Sequence, residues 1–320
     1  ILQFIQRRPE TPNLVNEKVR RSELDAFQAW IAAAVKDPQL LAVDAKTDSM
    51  TQVPVEVVRH ARRDRVLRSF VDNVWTEVGR CAACHSPDQN KKQVEEHGEQ
   101  VSWIRPRNPQ ATLQLMLHAG IIAPDAPLDS LILTKPTMQV EHGGGQKMVI
   151  GDRTYKQFRR FVDDYANIVN DRYTAPAQLP KPSEEVSLVT DIWLKLTGVP
   201  AKYDKMLMQV DLYRWDRSLW TEYRVASSDR PVFGKGELWQ HSLSLTAPRD
   251  SEWAGEMVSK RLPAGRYLLK VYVDQSGKLE QDFRAELGED DLVGQVEVNS
   301  EWPAGYGKMT VVEFVEGVRE

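Results

Sequence analysis

Cysteine is scarce in this chain, at two in 320 residues, and that count excludes a disulfide-built scaffold. Long apolar runs are absent too, so no stretch of the sequence has the length of a bilayer-spanning helix. There is no basic excess. The formal net charge of -4 argues against a nucleic-acid partner, whose phosphates favour a large positive surplus. No nucleophile elbow, phosphate-binding glycine loop or metalloprotease helix occurs. What remains is a globular composition, 41% hydrophobic and 28% charged with a mean hydropathy of -0.48. The length suits more than one domain, since single cores stop growing at roughly 250–300 residues.

The period of the apolar residues changes along the chain. Leu24, Phe27, Trp30, Ile31 and Val35 recur at three and four, predicting a helix from Ser22 with Ser22 and Asp25 as a capping box. A second helical stretch is expected from Pro54 to Val78. On it, Arg59, Arg62, Arg63, Arg65 and Arg68 read as a solvated face or as a docking surface for an acidic partner. Asn108-Pro109 opens a short helix that Gly120 ends, and a longer one is expected from Asp152 with Tyr155, Phe158, Phe161 and Val162 on one stripe. Pro176, Pro180 and Pro182 mark a semi-rigid linker. Beyond it the period falls to two, in Ile192-Leu194-Leu196, in Met206 to Leu212 and in Tyr267 to Val273. Further strands are expected near 220–225, 239–245, 293–298 and 309–315. These elements predict segments 1–50, 51–172, a linker 173–187 and a β domain 188–320, the last an antiparallel sandwich of immunoglobulin-like size.

Both cysteines stand in Cys81-Ala82-Ala83-Cys84-His85. Two thiols one helical turn apart can each bond a vinyl group of one porphyrin, with the next imidazole set against the iron. Random placement of these residues yields the arrangement in about one chain in ten thousand. A redox dithiol would want a preceding strand, and zinc on Cys81, Cys84, His97 and His118 lacks finger spacing. Two inert buried thiols are the remaining alternative.

With a helix before the motif and an aromatic helix after it, residues 54–170 resemble the c-type cytochrome family. Leu128-Asp129-Ser130-Leu131-Ile132-Leu133 leading into His142-Gly143-Gly144-Gly145 is similar to bacterial modules found in large planctomycete-type proteins. The resemblance implies an all-α cytochrome c-like domain followed by the β-sandwich, and one covalently attached haem c. Cys81 and Cys84 would form the thioethers and His85 would be the proximal ligand. His142 would be the distal ligand, ahead of Met138 and then Met148. Trp103, Arg105 and Arg107 lie where such folds meet the porphyrin edge. The implied role is single-electron transfer between redox protein partners in the periplasm or at the cell surface, with no catalytic residues, no nucleic acid and no membrane span. Two other readings are a haem subunit of a larger oxidoreductase and a carbohydrate- or partner-binding module using Trp193, Trp215, Trp220, Trp239 and Trp253. His60, His97, His118 and His241 read as solvated or capping residues. The first fifty residues, which open at Ile1, repeat the spacing of the closing aromatic helix. They are expected to be either the tail of a truncated module or a packing helix of coincidental spacing.

Overall fold

The computed structural model describes residues 14–36, 65–87, 89–181, 183–233 and 238–317. The chain divides into two compact units, Ile1–Gln52 and Val53–Glu320. In the first, helix α1 (Leu14–Ala34) begins eight residues before Ser22, because the helix-forming run from Leu14 to Arg21 extends it upstream and leaves Ser22 and Asp25 inside the helix. Phe27 and Trp30 stack at 5.8 Å on this helix, and Trp30 is exposed. Arg59, His60, Arg62 and Arg63 lie outside the described residues.

In the second unit an α-helical stretch over 65–70 runs without a break into a π-helical turn, Val71–Trp75. The chain then tightens into a 3₁₀ turn (Val78–Cys81) and a single α turn, α2 (Ala82–His85). Helices α3 (Lys91–His97), α4 (Pro109–His118) and α5 (Leu131–Thr134) follow, all short. Asn108 caps α4 by accepting from the Ala111 amide at 3.0 Å, as its Asn-Pro start predicts. The longest helix here is α6 (Arg153–Val169), capped by Asp152, which accepts from the Tyr155 amide at 2.7 Å. Its stripe of Phe158, Phe161 and Val162 is buried, with Phe161 meeting Phe70 edge to face at 5.4 Å.

An all-α cytochrome c-like domain followed by an immunoglobulin-like sandwich is not what this chain forms. The helical region is small and loose, one long helix and several short ones joined by irregular chain. The strand region is one eight-stranded sheet, not two facing sheets. Its strands are β1 (Glu185–Thr197), β2 (Leu207–Asp216), β3 (Leu219–Trp220), β4 (Ala226–Pro231), β5 (Leu238–Pro248), β6 (Gly265–Val273), β7 (Leu292–Ser300) and β8 (Thr310–Glu313). They run in the order β7-β6-β2-β4-β5-β1-β8, with β3 paired to β2 at the side. The short β4 pairs with both β2 and β5 and so stitches together what would otherwise be two sheets. At the far side β1 pairs with β8 in parallel.

The two edges then approach each other. Gly294 of β7 bridges Gly317 beyond β8, and the Gly317 amide donates to the Val293 carbonyl at 2.9 Å, so the sheet nearly closes as a barrel. A Cβ at Gly294 would overlap the Val315 carbonyl oxygen and lie 3.0 Å from the Phe314 ring, so this approach needs a glycine. Inside, Leu194, Leu196, Met208, Leu212, Trp239, Leu243, Leu245, Tyr267 and Leu269 form the core. The even positions Ser242, Ser244 and Thr246 of β5 are buried as well, alternating with Leu243, Leu245 and Ala247 of that core. Helix α6 approaches this second face, since Arg153 donates to Ser244 Oγ at 2.5 Å and its amide donates to Asp229 Oδ2 at 2.6 Å. A sandwich strand keeps one face in water, whereas β4 and β5 keep almost none.

Candidate functional site

Cys81 ends the 3₁₀ turn and Cys84 lies in α2, so the two thiols are separated by about one turn of helix. They are free, partly exposed and not disulfide-bonded to each other. Cys81 packs on the apolar cluster of Phe70, Val74, Phe161 and Met116, and burial pushes its thiol up to about 11. The thiol is therefore neutral at pH 7.

The segment after α3 wraps around His85. Nδ1 of its ring lies 2.8 Å from the Val101 carbonyl oxygen, to which it donates, and the Ile104 amide donates to the His85 carbonyl at 2.9 Å. The buried Trp103 ring lies against the imidazole, 4.9 Å between centroids and tilted by 34°. With Nδ1 occupied, the free lone pair of the neutral ring is on Nε2. His142 is held in the same manner by its own loop. Its Nδ1 lies 2.9 Å from the Gly145 carbonyl oxygen, and the Gly145 amide returns a bond to the His142 carbonyl at 2.8 Å. Gly144 leaves room for this ring, since a Cβ there would lie 3.0 Å from His142 Cε1 and 3.2 Å from Nε2.

The chain brings the two imidazoles together although they are 57 residues apart. Their ring centroids are 6.4 Å apart and their planes within 10° of parallel. Two imidazoles that bind one metal through Nε2, each at roughly 2 Å, have centroids on the order of 6 Å apart, so the separation of this pair is compatible with a shared metal. Burial lowers the pKa of both rings, and each is further lowered by a neighbouring positive charge, Lys135 being common to the two. Both are thus favoured as neutral rings, the form in which imidazole binds a metal.

Met138 is exposed with φ at 63°, and Met148 is buried in the helical core. The Arg105 guanidinium is directed at backbone, with one nitrogen 2.7 Å from the Ser102 carbonyl oxygen and 3.3 Å from that of Ile104. Arg107 is exposed. His97 is exposed and 3.8 Å from Glu96, while His118 is exposed in the last turn of α4. Among the described residues no three His, Cys, Asp or Glu side chains gather as a metal site, so the zinc alternative lacks its ligand cluster. No described helix is long and apolar enough to cross a membrane.

Sequence reasoning missed the surroundings of Arg80, the residue before Cys81. Its guanidinium lies 3.1 Å from His241 Nε2 on β5, donates to Thr154 Oγ1 at 3.1 Å and lies 3.8 Å from Glu77. Glu77, whose side chain has no exposed surface, also pairs with Arg153 at 3.2 Å. His241 is therefore buried, not solvated, with Ser228 Oγ on its other nitrogen at 2.8 Å. Burial, reinforced by Arg80, Arg230 and Arg153, holds its pKa well below the usual histidine value. The segment that carries Cys81, Cys84 and His85 is thereby tied to the sheet by buried polar groups. No signal in a single sequence pairs residues 161 positions apart. No protein family, curated protein or solved structure matches this chain.

Proposed function

We propose that this chain is an extracytoplasmic electron carrier with one covalently attached haem c, held by Cys81 and Cys84 and ligated by His85 and His142. The observation that carries this reading is the near-parallel pair of imidazoles 6.4 Å apart, each with its Nδ1 committed to a backbone carbonyl. When bound, haem supplies a one-electron iron couple. The chain's own residues do the rest. Val101 and Gly145 fix the tautomer and direction of the two rings, and Trp103 packs against the His85 side. If His85 and His142 both hold the iron, no coordination position would be left for a substrate, which would favour electron transfer over catalysis and a lower potential than His/Met ligation gives. A redox protein is the partner this implies, and c-type attachment implies maturation outside the cytoplasm. A glycan-binding role has less support, because Trp239 and Trp253 are core residues.

The test is a pair of optical spectra, oxidised and reduced, on the natively matured chain and on His142→Ala. A low-spin c-type spectrum in the parent that becomes high-spin in the variant is expected. A parent without covalent haem overturns the reading, and a low-spin variant removes His142 from the iron.

A further inference from the structure

A cavity of about 440 Å³ lies between the helical stretch over 65–76, α6, the chain at 179–181 and 183–187, and Arg249 after β5. Its lining is cationic. Five basic side chains, Arg65, Arg68, Arg160, Lys181 and Arg249, face three carboxylates, Asp72, Asp164 and Glu185. Each carboxylate already has a cation: Asp164 takes Arg65 at 3.4 Å, Asp72 takes Arg68 at 3.8 Å and Glu185 takes Arg224 at 2.9 Å. Arg249 is anchored on the Ser183 carbonyl at 2.8 Å. Arg160 and Lys181, by contrast, are exposed at the cavity rim, with no carboxylate within ion-pair distance in the described residues.

Two further observations separate this cavity from an ordinary solvated basic face. Thr76 Oγ1 and Gln157 Oε1, both on residues that line it, are buried and have no hydrogen-bond partner in the described structure, which is costly unless something else supplies one. The helical wall that presents Asp72 and Asn73 is the π-helical turn Val71–Trp75, which Thr76 closes, a distortion frequent at functional sites.

We infer that this cavity binds a small organic anion, a phosphate ester bearing hydroxyl groups, with Arg160 and Lys181 holding the charged end and Thr76 and Gln157 meeting the hydroxyls. A cavity of this size suits a ligand of monosaccharide-phosphate dimensions. Guanidinium and ammonium groups supply charge-assisted bonds to phosphate oxygens. The polar wall adds selectivity that a bare charge patch lacks.

Calorimetric titration of the full matured chain tests this with glucose 6-phosphate, orthophosphate, glucose and sodium chloride at matched ionic strength. Saturable binding of glucose 6-phosphate is expected, with weaker binding of orthophosphate and none of glucose. The double variant Arg160→Glu/Lys181→Glu, at exposed positions, should weaken glucose 6-phosphate binding by at least about tenfold. Thr76→Val should weaken the sugar phosphate several-fold and leave orthophosphate unchanged. Equal binding by parent and double variant overturns the site. So does an absence of binding by either phosphate, or retention on a sulfated polymer without small-anion binding, which marks a polyanion surface instead. None of these outcomes depends on the haem, whose presence is read separately from the spectrum.

Discussion

Glu77 stands between Arg153 and Arg80 with no solvent-exposed side-chain surface, four residues before the first cysteine. A carboxylate buried between two guanidiniums is not replaceable by its amide, because the two cations then lose their counter-charge in a medium of low polarizability. Glu77→Gln should cost about 3 kcal/mol of stability, read as a lower midpoint in denaturant unfolding with an unchanged slope. A loss below about 0.5 kcal/mol would place the pair among weak surface bridges. At this scale the motif residues were legible in the sequence, because covalent spacing is written directly in Cys81-Ala82-Ala83-Cys84-His85. The burial of His241 was not, since a histidine on an alternating strand looks the same whether water or Arg80 lies beyond it.

Among the elements, helices with a local start signal were readable. Asn108 and Asp152 sit one residue before their helices and bond into the first turn, as their side chains dictate. The strands with clean alternation, β1, β2 and β6, also fall where the period of two places them, and β5 and β7 cover the further strands expected near 239–245 and 293–298. The strand β4, Ala226-Ser227-Ser228-Asp229-Arg230-Pro231, carries no apolar alternation and was not expected. Of its buried side chains, Asp229 accepts from the Arg153 amide at the start of α6, while Ser228 Oγ donates to the Ser242 carbonyl and meets His241 Nδ1 on β5. The sandwich was expected from the number of short strands, which carries no information about pairing, and β4 joins β2 to β5 in one sheet. The seam of the sheet gives a prediction of its own. Gly294→Ala pushes a methyl group into the Val315 carbonyl and the Phe314 ring, and the parallel bridge to Gly317 must open to admit it. A loss of about 1–3 kcal/mol is expected, with faster amide exchange at Gly317 than in the parent. Unchanged exchange there would mean the seam contributes nothing to closure.

Over the whole molecule, residues 53–320 form one compact unit, and its helical and strand parts share the buried ionic cluster around Arg80. That coupling predicts a pH dependence. Buried among Arg80, Arg230 and Arg153, His241 is neutral in the folded chain, while in the unfolded chain it takes up a proton near its ordinary value of 6.5. The unfolded state therefore binds more protons below pH 6.5, so the contribution of His241 is full above that pH and is lost as the pH falls through it. The slope for this one group approaches about 1.4 kcal/mol per pH unit. Denaturant unfolding between pH 7.5 and 5 should show the parent losing stability on acidification faster than His241→Asn. Parallel curves would show that another group sets the acid limit. The sequence by itself determined the spacing of Cys81, Cys84 and His85, the caps and the alternating strands, because each is set by neighbours within a few residues along the chain. Only the tertiary structure decided that the strands make one nearly closed sheet, that His142 meets His85 across 57 residues, and that a basic helix borders a cavity. Those outcomes depend on which distant surfaces bury one another, and local periodicity is silent about a partner that lies a hundred residues away.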